Sequence, residues 1–543
     1  MAEAIDFKNK RVLILDDDPG MRNTMRLILN TFGVTRSYQA ATANEAVRRI
    51  QQEHYDIILS DYFLGEGRDG QQFLEELRHN KLIKLSTVFM MITAERIYEK
   101  VVSAVELAPD DYLIKPFSGE QLRSRLERTL IKKEAFAPVY ALIESGDLRA
   151  AIATCEILME EIPKYAIDFT RLKCDLCLTL GDYAEAERVY RQILETRALP
   201  WARMGFGKAL FMQDKFEEAE DIFAEVVEDS PQYLEAYDWL ANAHEAVGKG
   251  EEAQAALASA VEKSPNTLPR QRKLGNIARR NGDLDTAEKA FSTVVEKGKY
   301  SYFRSPEDYT ELGGVMADKG DFKEALSLMG EARKQFSNSP EASMCAAVME
   351  SMIHKKSGND KEAQAAINEA LHLQESAKLD ISNTMKLNLA TACYQNGRED
   401  AGNSIVSDLI KNNHEDKALM QQAERTFEAL GRRDFGMNLI ESSAKEIIQL
   451  NNQAVRKAQQ GDLEGAIAML REAATRLPDN MQIVLNAAHA LLVFIDKNGW
   501  DQDYMADAKR YLEKANAKDP NNSKLGKLNA MYQDVAKKYG SAR

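Results

Sequence analysis

The sequence predicts a doubly wound α/β domain with a five-stranded parallel sheet over residues 1–134, followed by an all-α solenoid of about ten helical hairpins over residues 135–543. Three observations carry this expectation. Short apolar runs alternate with helical patterns in the first 134 residues, acidic and basic residues recur at the ends of those runs, and a period near 34 residues governs the rest. A chain of 543 residues also exceeds what one hydrophobic core normally serves.

The predicted strands are Val12–Asp16, Ser37–Thr42, Asp56–Asp61, Val88–Thr93 and Tyr112–Lys115. Helical patterns start near Pro19, Asn44, Gly70, Glu95 and Ser118. Strand-then-helix units with short connections give parallel sheets covered on both faces, and such sheets bind ligands at the carboxyl ends of their strands. That rule gathers Asp16-Asp17-Asp18, Asp61, Thr93 and Lys115-Pro116 into one corner. Asp16, Asp17 and Asp61 would repel one another without a counter-charge. One Mg²⁺ and the Lys115 ammonium would balance them, and hard carboxylate oxygens at a partly hydrated site suit Mg²⁺. Asp18 precedes Pro19 and reads as a helix N-cap with proline at the first helical position.

The segments LILDDDP, ILSDY, MMITAE and DYLIKPF resemble the receiver domain of response regulators, over roughly residues 10–132. The resemblance implies a flavodoxin-like fold with Asp61 as the phosphorylated residue. It further implies Mg²⁺ held by Asp17, Asp61 and the backbone carbonyl of Phe63, with Asp16 supporting the metal's water shell. Thr93 and Lys115 would bond the phosphoryl group, Tyr112 would turn inward behind Thr93, and Lys115 would precede a cis bond to Pro116. One departure stands out: Gly65 occupies the position where the family usually has proline, and the loop to Gly70 is one residue longer. Phe63 is apolar where many relatives carry a polar residue, which points to slowed water attack on the phospho-form. The same loop spells Gly65-x-Gly67-x-x-Gly70, a formal match to a dinucleotide-binding pattern. It follows the third strand rather than the first, so nucleotide binding is not expected.

After Ala135 strand signals vanish. A turn residue, then an aromatic or Leu two positions on, then Ala three further, recurs from Gly146 through Gly181, Asp214, Gly248, Gly282, Gly320 and Gly358, at spacings of 35, 33, 34, 34, 38 and 38. Weaker units follow near Gly397 and Gly431, the pattern recovers at Gly461, and a last unit includes Ala508 and Pro520. Glycine permits the tight turn between antiparallel helices, and prolines at 163, 231, 265, 478 and 520 close the second helices. With Leu274-Gly275 and Leu312-Gly313 on first helices, this resembles the tetratricopeptide (TPR) repeat over about 400 residues. Such stacks curve into grooves that bind segments of other proteins. Arg272 and Asn276 would supply part of a clamp for a C-terminal carboxylate, but Glu311 breaks it. Cys174-x-x-Cys177 has no second ligand pair nearby and reads as packed core.

Charge narrows the output. Residues 1–135 hold 20 Lys+Arg against 21 Asp+Glu, leaving 51 against 64 for the remainder. An acidic long half argues against a DNA-binding output. No apolar run reaches the about 20 residues of a membrane helix, the N-terminus shows no targeting pattern, and five cysteines give no disulfide framework, so a cytoplasmic protein without membrane insertion is expected. The combined reading is a non-enzymatic response regulator, phosphorylated on Asp61 by a histidine kinase or phosphotransfer protein, whose repeats bind a protein or peptide ligand. The rival readings are a constitutive scaffold and a phosphate sink that competes for a kinase.

Overall fold

Short runs, mostly apolar except for the second, give five strands: β1 (Arg11–Leu15), β2 (Arg36–Ala40), β3 (Ile57–Asp61), β4 (Val88–Thr93) and β5 (Asp111–Ile114). In the computed structural model, which describes residues 5–65, 68–93, 109–265, 267–299, 301, 303–376, 379, 381–519 and 522–540, they form one parallel sheet in the order β2-β1-β3-β4-β5. Strand order reverses between β1 and β3, so the ends of those strands open a crevice. The register sets Leu15 beside Ser60 and Asp61 beside Ile92, which carries Asp16 and Asp61 to the same edge.

Both sheet faces are covered. Val12, Ile14, Ile57, Leu59, Met90 and Ile92 are buried with Met25 and Leu29 of α1 (Pro19–Thr31) and with Leu122 and Leu126 of α4 (Gly119–Glu144). Leu13, Leu15, Ile58, Phe89 and Met91 face α2 (Ala43–Gln52) and α3 (Gly70–His79) through Ala46, Ile50, Phe73, Leu74 and Leu77. Asp18 caps α1, its carboxylate accepting from the amides of Gly20 and Met21, as its place before Pro19 predicts. β2 ends at Ala40, two residues short of the expected Thr42, because the Thr42 hydroxyl is taken by the Glu45 amide as the N-cap of α2. The helix expected from near Glu95 lies outside the described residues.

α4 leaves the sheet and runs through Ala135 without a break; its second half is the first helix of the first hairpin, which turns at Gly146 (φ +82°). Pro138 sits inside this 26-residue helix. Lys133 donates to the Leu85 carbonyl (2.6 Å) and pairs with Asp110 (2.8 Å), while Glu144 accepts from the Leu85 amide (2.8 Å). Two compact units divide the chain, one comprising residues 1–178, 182–282 and 293–304, the other 179–181, 283–292 and 305–543.

Every turn residue of the repeat, including those at Gly397, Gly431 and Gly461, has positive φ, and Asp214 fills the glycine slot at φ +60°. Prolines 163, 231, 265 and 478 each stand two residues past a second helix; Pro520 lies outside the described residues. Gly313 is where close packing is needed: a Cβ there would lie 2.7 Å from the Met329 methyl. Helix Arg433–Gln459 departs from the pattern, serving 27 residues long as the second helix of one hairpin and the first of the next. All five cysteines are free and buried. Burial pushes the Cys174 thiol up to about 12 and Cys177 to about 11, so both are packed and unreactive thiols.

Gly282 (φ +82°) has nothing within 4 Å of an added Cβ, so Gly282→Ala isolates backbone strain. We expect it to cost about 1–2 kcal/mol, read as a lowered urea midpoint, and Asp214→Gly to be neutral or stabilising.

Candidate functional site

The corner predicted from strand ends is assembled. β1 delivers Asp16 and Asp17, β3 delivers Asp61, and β5 delivers Lys115 through a segment whose Lys115–Pro116 bond is cis. Asp16 (0% exposed) and Asp61 (8%) are buried while Asp17 is exposed, so the site has a solvent side. Their carboxylate oxygens lie within 4.8 Å of one another, the one such acidic group among the described residues. The Lys115 ammonium donates to Asp61 Oδ2 (2.8 Å) and Asp16 Oδ2 (3.1 Å). The Lys115 amide bonds the Thr93 carbonyl (2.7 Å), setting β5 beside the buried Thr93.

Electrostatics follow from that geometry. Burial pushes the Asp61 carboxyl above its usual range; the bonds to Lys115 pull it down without cancelling the rise, and the Asp16 charge adds to it. Burial works against the Lys115 cation, but its bonds to Asp61 and Asp16 outweigh that and hold its pKa above the ordinary lysine value. A lone ion pair would lower its acid, so the two shifts look discordant. Burial of Asp61 outweighs what Lys115 returns to it, while the ammonium, bonded to two carboxylates, gains more than burial takes from it. Three carboxylates against one ammonium leave a net charge of −2, with an exposed carboxylate at the opening. Such an all-oxygen donor set fits a hard divalent cation.

The supporting residues were only partly legible. Arg22, absent from the sequence expectations, donates to the carbonyls of Asp16 (2.6 Å) and Asp17 (3.1 Å) and fixes the loop that presents them. Its place one turn into α1, facing back over β1, is the only signal that would have found it. The two described glycines of the nucleotide-like pattern have local duties. A Cβ at Gly65 (φ +72°) would lie 3.1 Å from Asp17 Oδ2, and one at Gly70 would lie 2.3 Å from the Asp61 carbonyl oxygen. Gly67 lies outside the described residues. The Phe63 ring is 54% exposed, edge-on to Tyr62 (4.9 Å between centroids). Tyr112 is half-buried against the cluster containing Phe73 and Met91, where burial raises its phenol pKa. Arg272 donates to the Phe303 carbonyl (2.5 Å), and Asn276 is exposed.

Comparison with known proteins agrees with this geometry. The response regulator receiver domain model matches residues 12–127, and tetratricopeptide repeat models match 175–233 and 210–276. The alkaline phosphatase synthesis transcriptional regulatory protein PhoP of Bacillus subtilis is 30% identical over 181 residues, 32% of this chain and 72% of that relative. The chain belongs to the response regulators. Chemotaxis protein CheY-3 of Vibrio cholerae is 29% identical to this response regulator over 126 residues, 23% of this chain and 95% of CheY-3. Among solved structures, V. cholerae CheY4 aligns over 22% of this response regulator and 98% of its own chain (29% identity, TM-score 0.21). The C-terminal part of a TPR repeat-containing protein from Cytophaga hutchinsonii aligns over 45% and 96% (15% identity, TM-score 0.37). This response regulator thus joins a receiver to TPR repeats, and no helix among its described residues is long and apolar enough to cross a membrane.

The raised Asp61 carboxyl sets a sign. The folded state holds that proton more tightly than the unfolded chain, so the group's contribution to stability falls as pH rises from the ordinary carboxylate range through the raised value. In metal-free buffer at pH 7, Asp61→Asn is therefore expected to stabilise the receiver by about 1 kcal/mol. The gain should vanish in acid below the ordinary carboxylate range and shrink when Mg²⁺ is added. Thermal melts across pH measure it.

Proposed function

We propose that this protein is a two-component response regulator, phosphorylated on Asp61, whose repeats bind a partner protein. The observation that carries the reading is the shared contact of one ammonium, Lys115, with Asp61 and Asp16 beside the open Asp17 carboxylate. In this reading residues 1–134 receive the phosphoryl group and residues 135–543 are the output.

A Mg²⁺ held by Asp17, Asp61 and the Phe63 carbonyl, with Asp16 supporting its water shell, would neutralise the corner and stabilise negative charge on the transferring phosphoryl group. The chain's own groups do the rest. An Asp61 carboxylate oxygen attacks phosphorus in line while the P–N bond of a phosphohistidine donor breaks, and the imidazole leaves with the electron pair and takes up a proton. Lys115, freed from part of its hold on Asp61, follows the negative charge onto a phosphoryl oxygen as a point charge. Thr93, at the end of β4, donates its hydroxyl to another, and Tyr112 moves into the space behind it. The phosphodonor is a histidine kinase or phosphotransfer protein, and the ligand of the repeats is a protein or peptide.

Incubation with acetyl phosphate and Mg²⁺ should give an acid-stable, base-labile label that Asp61→Asn abolishes; a label that survives the substitution overturns the assignment. Affinity capture with wild type, Asp61→Asn and beryllofluoride-treated protein then separates a switched output from a constitutive scaffold. Because the exposed Phe63 ring stands two residues from the acceptor, Phe63→Asn is expected to shorten the phospho-form's half-life about tenfold. An unchanged half-life removes that role.

A further inference from the structure

The hairpin that turns at Gly282 is followed by a longer connection than its neighbours have. Seven residues separate helix Leu284–Gly298 from helix Pro306–Lys319, against four between Asp229 and Leu234, between Lys263 and Leu268, and between Gln335 and Pro340. The three extra residues account for most of the lengthening of the Gly282–Gly320 spacing to 38. The connection is held in place. Ser301 is buried; its hydroxyl accepts from the Phe303 amide (3.1 Å) and its own amide donates to the Gly298 carbonyl (2.9 Å). Arg272 fixes the Phe303 carbonyl (2.5 Å).

That connection reaches the receiver. The Phe303 ring meets the His79 ring edge to face, with centroids 5.1 Å apart and planes at 81°. His79 is the last residue of α3, and residues 293–304 belong to the same compact unit as the receiver. The other end of α3 stands on the acceptor. Gly70 opens the helix, its amide donates to the Tyr62 carbonyl (2.8 Å), and a Cβ there would lie 2.3 Å from the Asp61 carbonyl oxygen. A capping box of Asp69 with Gln72, and the buried Phe73, Leu74 and Leu77, make α3 one stiff piece. It spans the about 15 Å between Asp61 and the repeat connection.

We infer that the connection after Gly298 is a latch, which holds the receiver by α3 while Asp61 is unmodified and which phosphorylation of Asp61 releases. The inference rests on Asp61 being the phospho-acceptor. The loop that brings the Phe63 carbonyl to a metal also carries Arg68, which is ion-paired with Glu76 of α3 and bonded to Asn44 of α2. Burial lowers the Arg68 pKa and the Arg304 charge lowers it further, so like charges stand on both sides of the contact. An edge-to-face ring contact opposed by that repulsion yields to a modest push from the acceptor end. By linkage, a latch that phosphoryl binding opens must itself weaken phosphoryl binding.

Because the five native cysteines are buried, the full chain carrying His79→Cys and Phe303→Cys reports the contact directly. A short bismaleimide should join the two thiols in the resting chain. Mg²⁺ with beryllofluoride should slow that reaction about fivefold or more, and should not slow it when Asp61→Asn is added. In separate chains His79→Ala, at an exposed position, and Phe303→Ala should each tighten beryllofluoride binding by about fivefold, read from the ¹⁹F signal of the bound anion. A resting chain that does not cross-link overturns the latch. Cross-linking that persists while the ¹⁹F signal shows Asp61 occupied overturns its release, and unchanged affinity in both alanine variants overturns the coupling. A chain that binds no beryllofluoride overturns the acceptor assignment, and the release with it, while the resting cross-link still reads the contact.

Discussion

The receiver's arrangement depends on one ammonium ion. Lys115 lies between two buried carboxylates, and no other cation bonds either of them among the described residues. Register brings the carboxylates together, since pairing β1 and β3 in parallel leaves the residues after Leu15 and Ser60 at the same edge. The fifth strand must then end where it does, with its amide on the Thr93 carbonyl, to put the lysine within reach of both. The apolar runs that build the sheet thus also concentrate negative charge at its carboxyl edge. The same burial that strengthens the ion pairs keeps the Asp61 carboxyl reluctant to ionise unaided.

The repeats rest on a different constraint, that of backbone sterics. Each hairpin reverses at a residue in left-handed conformation, and the first-helix glycines 205, 207 and 313 leave room for the side chains of Tyr190, Phe223 and Met329. The turn requirement recurs every 33 to 38 residues from Gly146 to Gly358, and such packing involves nearest neighbours, so the rest of each helix is left free to vary. The polar corner tolerates no such freedom, because moving any one of its charges changes the balance for the others.

That contrast explains what could be read in advance. The strands, the helix starts other than the one near Glu95, the Asp18 cap and the glycine turns are local consequences of residue type, and they lie within a residue or two of where the pattern places them, β2 ending two residues early where Thr42 serves the next helix instead. Asp16, Asp61 and Lys115 could be gathered from strand ends alone because parallel topology makes those ends converge. Arg22 could not, since its role depends on the side chain folding back to two carbonyls. Nor could the double duty of Arg433–Gln459 be seen: the weak units near Gly397 and Gly431 hide the fact that no turn separates one hairpin from the next.

Pro138, within the helix Gly119–Glu144, lacks the amide that would bond the Glu134 carbonyl, and its ring crowds that turn. The receiver therefore grips the first repeat through a rod about 40 Å long that is hydrogen-bonded on both sides of a single weak joint. Bending of that rod concentrates at the joint, so the receiver's tilt against the first repeat is set where one hydrogen bond is missing.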